Sequence, residues 1–171
     1  MRKDAAFSGL EAAIVLIAFV VVAAVFSYVM LGAGFFATQK SQEVTYSGIK
    51  QTTSNLVLDG MIYGSYSGSL NEIYFYLKVP EGGETQDLNF VRYLWTKENK
   101  QVTSISKGSI TFSPSNSQLN PGGRVKVSLK TPDGYGPVAG QKFVLEIKPK
   151  TGASTLVTRT LADGYRGGVI I

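Results

Sequence analysis

The chain has 171 residues, with 17 Lys and Arg against 12 Asp and Glu, a charged fraction of 17% and an aromatic fraction of 11%. It contains neither Cys nor His, which removes disulfides, thiolate nucleophiles, imidazole bases and the usual zinc ligands from its possible chemistry. Basic residues stand singly from Lys78 to Arg166, so the surplus of positive charge reads as mild surface basicity and not as a nucleic-acid footprint.

Residues 1–6, Met1-Arg2-Lys3-Asp4-Ala5-Ala6, are charged and end in two small residues. A secretory signal carries its small-residue cleavage site beyond the apolar stretch; here the small residues precede it. A cut after Ala6 would leave the apolar stretch on the mature chain, beginning at Phe7. In Phe7-Ser8-Gly9-Leu10-Glu11, Ser8 suits an N-cap, and Glu11 three residues later completes a capping-box spacing near the positive end of the helix dipole. A second reading starts from cost, because a carboxylate in hydrocarbon is unfavourable by about 2.5–3.5 kcal/mol or more. A new α-amine on Phe7 would lie one helical turn from Glu11, so the two charges could pair within a chain or between chains.

Ala12 to Leu31, AAIVLIAFVVVAAVFSYVML, is apolar except for Ser27 and the Tyr28 hydroxyl. At about 1.5 Å per residue it spans roughly the 30 Å of a bilayer core. No polar residue recurs at a helical period, so lipid or other protein must surround it. Gly32 and Gly34 weaken a helix by about 1 kcal/mol each, yet small residues also let neighbouring helices approach closely. The apolar character continues through Phe35-Phe36 and becomes amphipathic from Thr38. The helix is expected to end between Thr53 and Leu58, giving roughly 45–50 residues and about 70 Å.

Beyond Leu58 the period changes to short β-rich runs: Met61–Tyr63, Ile73–Leu77, Phe90–Trp95, Gly108–Phe112, Val125–Lys130, Phe143–Lys148, Thr155–Thr160 and Gly167–Ile171. Turn signals such as Pro80-Glu81-Gly82-Gly83, Asn120-Pro121-Gly122-Gly123 and Pro132-Asp133-Gly134 separate them. Seven to nine short strands at this spacing predict an immunoglobulin-like antiparallel β-sandwich, and with the helix an α+β chain. The expected division is 1–6 leader, 7–57 helix and 58–171 sandwich. The Asp133 and Asp163 turns lack the acidic spacing of a calcium loop, and the glycine clusters lack the Lys-Ser/Thr of a phosphate loop. The tyrosines from Tyr63 to Tyr76 read as strand packing, with a partner surface as the alternative. No catalytic, metal or cofactor site is expected.

The leader Arg2-Lys3-Asp4-Ala5-Ala6 followed by Phe7-Ser8-Gly9-Leu10-Glu11-Ala12-Ala13-Ile14-Val15-Leu16-Ile17-Ala18-Phe19-Val20 resembles the class III signal and N-terminal helix of type IV pilin-like proteins. It is most similar to the archaellins, the archaeal flagellins. Gly9 would fall third in the mature chain, as archaellins favour, with Phe7 first and Glu11 fifth as in pilins. Many archaellins have Gly at that fifth position, and Gly is commoner than Ala before the cut. Leu119–Val127 is similar to the family's recurring turn and strand.

The resemblance implies a cut between Ala6 and Phe7 by a prepilin-peptidase-like signal peptidase. It implies assembly roles for Gly9 and Glu11, and packing in the filament core by Ile14, Ile17, Val21, Val25, Gly32 and Gly34. The subunit would rest in the cell membrane and then join a homo-oligomeric helical filament outside the cell. A cytoplasmic motor ATPase and a membrane platform would turn that filament for swimming, with no cofactor and no nucleic acid. The residues leave two alternatives: an adhesive type IV-like pilin, or a single-span surface protein with a β-sandwich ectodomain.

Overall fold

The structure is a computed structural model describing residues 2–171, with side chains from Ser8 onward. One helix, α1 (Arg2–Thr53), precedes twelve strands. These are β1 (Val57–Leu58), β2 (Ile62–Tyr66), β3 (Leu70–Lys78), β4 (Gln86–Asp87), β5 (Arg92–Lys97), β6 (Thr103–Ser104), β7 (Ile110–Ser113), β8 (Gln118–Leu119), β9 (Arg124–Lys130), β10 (Lys142–Lys148), β11 (Thr155–Thr160) and β12 (Gly168–Ile170). The chain divides into two compact units between Ser47 and Gly48, inside the helix.

The first unit is helix alone. The β-branched Thr38 and Thr45 are accommodated because their hydroxyls donate to the carbonyls of Gly34 (2.9 Å) and Ser41 (2.8 Å), four residues back.

The second unit is an antiparallel sandwich. Its larger sheet has the order β12-β2-β3-β9-β7 with β1 also paired to β3, and its smaller sheet the order β11-β10-β5-β6. A two-stranded β4-β8 ribbon stands apart. Alternation decides which side chains face inward: Val125, Val127 and Leu129 of β9 are buried, and so are Phe143, Leu145 and Ile147 of β10. Trp95 and Phe143 stack at 4.7 Å in that core, and the Trp95 indole donates to the Tyr135 carbonyl at 3.0 Å.

The outer face of the larger sheet absorbs Tyr63, Tyr74 and Tyr76, whereas Tyr66 packs against the core. Tyr63 and Tyr74 stack at 4.9 Å, and Lys126 lies 4.3 Å from the Tyr74 ring. Arg124 lies 3.8 Å from the Tyr76 ring while pairing with Asp59 at 3.1 Å. These are the cross-strand contacts of a pleated face.

The last helical turn folds with the head. Ser54 is fully buried; its hydroxyl accepts from the Glu84 amide at 3.2 Å, and its carbonyl accepts from the Gln86 side chain at 3.1 Å. Lys50 pairs with Glu84 at 2.7 Å. Gly152, at φ +108°, presses so closely on Ser54 that an added Cβ would sit 2.3 Å from its carbonyl oxygen. These contacts stop the helix at Thr53, and the fully buried Leu56 then leads into β1.

Several strand bounds differ from the sequence expectation. Phe90 belongs to a 3-10 turn, Leu88–Phe90, because the Asp87 carboxylate caps the Asn89 amide at 2.9 Å; β5 starts only at Arg92. Gly108 likewise lies in a 3-10 turn, Lys107–Ser109. Met61 falls just before β2, and Gly167 and Ile171 flank β12.

One core group is at odds with its surroundings. The Tyr93 hydroxyl is buried with no hydrogen-bond partner among the described residues, and burial pushes its pKa well above the ordinary 10.0. The unfolded chain ionises this tyrosine near pH 10 and the folded chain does not. Its contribution is therefore intact below that pH and is lost as pH rises further. Tyr93→Phe is expected to hold or raise stability at pH 7, by up to about 1 kcal/mol, because it removes an unpaired buried hydroxyl. It should also flatten the loss of stability above about pH 10. Denaturant unfolding of the full chain in detergent, at neutral and alkaline pH, reads both effects.

Candidate assembly surface

From Ser8 through Thr52 every described side chain of α1 is exposed. Seventeen large hydrophobic or aromatic residues between Leu10 and Phe36 lie bare, from 53% at Val15 to 80% at Tyr28. The helix is long and apolar enough to cross a bilayer, and none of its most apolar stretch is covered by the rest of the chain. Covering such a side chain is worth about 1.5–3 kcal/mol, so seventeen of them represent on the order of 25–50 kcal/mol. That exceeds the roughly 5–15 kcal/mol by which a whole domain is stable. Something outside this chain must cover the helix.

The continuous helix sets the relative positions of the expected residues. At 3.6 residues per turn, Ile14, Ile17, Val21, Val25 and Gly32 fall along one stripe, while Gly9 and Gly34 fall on the opposite side. The expected packing residues are thus distributed around the helix. Glu11 is exposed among apolar neighbours. Ala6 and Phe7 lie within the helical backbone, but their side chains are outside the described residues. The helix runs back to Arg2, so Ser8 and Glu11 are interior to it and form no capping box at its start. Ala5 and Ala6 are strong helix formers, and nothing in the leader interrupts the ladder.

The glycines of α1 are unexplained by the chain's own packing. A Cβ added at Gly9, Gly32, Gly34 or Gly48 would meet nothing within 4 Å. Each costs roughly 1 kcal/mol of helix stability relative to Ala, with no intramolecular contact to require it.

The sequence carried no signal for the Ser54 clamp, a small polar residue in a polar stretch. Among the described residues no group of three or more Asp and Glu is placed to hold a metal ion.

Residues 6–159 match the family model of archaeal-type flagellin. The chain belongs to the archaeal-type flagellin family. It is 38% identical to probable flagellin 2 of Archaeoglobus fulgidus, over 96% of this chain and 93% of the relative. Among solved structures it is similar to the archaeal flagellum of Methanospirillum hungatei strain JF1, at 76% identity and a TM-score of 0.77. That match covers 95% of this chain and 99% of the other. The crystal structure of flagellin FlaB1 from Methanocaldococcus jannaschii shares the fold at 11% identity and a TM-score of 0.57, covering 67% of this chain and 95% of the other. The long apolar helix followed by an antiparallel sandwich is the archaellin fold.

Because nothing packs on the helical glycines within one chain, Gly32→Ala and Gly34→Ala are each expected to stabilise α1 in the detergent-solubilised, unassembled archaellin by roughly 0.5–1 kcal/mol. Amide hydrogen exchange across residues 28–38 measures this; faster exchange in the variants would contradict it.

Proposed function

We propose that this chain is the structural subunit of an archaeal flagellum filament used for swimming, with no catalytic role. The observation that carries the reading is a single helix bearing seventeen large uncovered apolar side chains in a chain of the archaeal-type flagellin family. Lipid and a bundle of like helices are equally apolar surroundings, so transfer from one to the other meets no hydrophobic penalty. The subunit first rests in the cell membrane through α1, then passes to an extracellular polymer in which sister helices surround it. Contacts between non-equivalent surfaces do not close on themselves and generate an open helical filament.

Within this reading a prepilin-peptidase-like enzyme cuts between Ala6 and Phe7. The new amine on Phe7 then lies one turn from Glu11, giving that carboxylate a partner in an apolar setting. Ile14, Ile17, Val21, Val25 and Gly32 form one packing stripe. Gly9 and Gly34 allow close approach on the other side, as suits a helix with neighbours on several sides. A motor ATPase and a membrane platform are the partners that turn the finished filament.

Filaments sheared from the cell surface and resolved by mass spectrometry should contain this chain as a main protein, and its absence would refute the reading. N-terminal sequencing of that protein should start at Phe7; an intact Met1 would overturn the cut. Glu11→Ala is expected to slow assembly at least several-fold, since a lost ion pair in apolar surroundings costs more than a surface pair. Wild-type assembly kinetics in that variant would refute this role for Glu11.

A further inference from the structure

The head, residues 48–171, holds fourteen Lys and Arg against nine Asp and Glu. Several cations are compensated locally: Lys50 by Glu84 and Arg124 by Asp59, while Lys126 and Lys100 lie over tyrosine rings. Four cations are gathered at one groove. Arg92 on β5 and Lys148 on β10 are direct cross-strand partners, an arrangement of like charges that opposes folding. Together with Lys107 and Lys150 they line a groove of about 700 Å³ that also includes Phe90 and Leu94. Phe90 is 56% exposed, with the Lys150 ammonium 4.9 Å from its ring centre. Among the described residues no carboxylate lines the groove, and the ion pairs include none of its four cations. Glu146, opposite Leu94 in the ladder, is the acidic residue nearest in register and makes no ion pair there.

We propose that this groove binds an acidic polysaccharide, a polymer of carboxylated sugars. Four cations with no carboxylate partner among the described residues, two of them held opposite each other against their own repulsion, match a chain of spaced anions. The exposed face of Phe90 offers an aromatic platform to the C–H face of a sugar ring. A second copy is a poor occupant, since its head is itself cationic and its acidic turn at Glu81–Glu84 already holds Lys50. Single-stranded nucleic acid calls for a series of stacking rings; here one ring stands alone. The groove lies within one head and needs no assembly. Its multivalent display, with the avidity that brings, rests on the filament reading.

The test uses the full-length chain in detergent micelles over immobilised alginate, with neutral dextran and single-stranded DNA as comparison surfaces. Alginate should retain the chain, less so as salt rises from about 50 to about 200 mM, and dextran should not. Lys148→Gln combined with Lys150→Gln should weaken retention by about five- to ten-fold, whereas the charge-matched pair Lys126→Gln with Lys142→Gln should weaken it by less than about two-fold. Lys148→Gln alone should raise the thermal midpoint, because it relieves the pair with Arg92. The proposal is overturned by equal losses in the two double variants, by tighter retention on DNA than on alginate, by no wild-type retention at low salt, or by a lowered midpoint. Filament formation is scored separately by electron microscopy, so either reading can fail alone.

Discussion

The surface of α1 from Leu10 to Phe36 is a hydrophobic demand that this chain creates and does not meet. Its seventeen uncovered side chains outweigh the stability of a typical domain several-fold if left in water, and the helix has no polar side on which to be solvated. Lipid and sister helices are the environments that satisfy it, and neither requires apolar surface to return to water on passing between them. In the proposed reading, an anchor and a polymer core are one element at two stages.

The head is built on different physics. Its core of Trp95, Phe143, Phe75 and the alternating aliphatics of β9 and β10 is complete within residues 48–171, so it can remain in water while the helix does not. The last turn of α1 belongs to that unit through the buried Ser54, which takes hydrogen bonds from Glu84 and Gln86. The boundary between helix unit and head therefore falls inside a continuous helix, after Ser47. The head's uneven charge is also local: Arg124 and Lys126 are quieted by Asp59 and the tyrosine ladder, whereas Arg92 and Lys148 face each other without an ion-pair partner among the described residues.

Sequence periodicity made the large features legible. An apolar run without polar interruption has one structural meaning at that length, and the alternation of Val125–Lys130 and Phe143–Lys148 leaves one face wet and one dry. What stayed hidden depends on contacts far apart in the chain. The two-residue strands β1, β4, β6 and β8 are defined by their partners, and β12 pairs with β2 across a hundred residues. Phe90 has strand-forming chemistry, but the Asp87 cap turned it into a 3-10 turn. The groove cations come from β5, the turn before β7, the end of β10 and the loop after it, and scattered single lysines give no local pattern. Of the assembly residues, the stripe from Ile14 to Gly32 follows from helical geometry, whereas the role proposed for Glu11 depends on the proposed cut between Ala6 and Phe7.

The most direct test of sister-helix burial exploits the absence of cysteine in the chain. A single Val21→Cys archaellin has its one thiol in the middle of the apolar stripe, and a Ser115→Cys chain has it on the exposed head. In assembled filaments, burial of α1 predicts that a water-soluble maleimide labels position 115 fully and leaves position 21 unmodified until the filament is dissociated. Rapid labelling at position 21 in intact filaments would contradict the account.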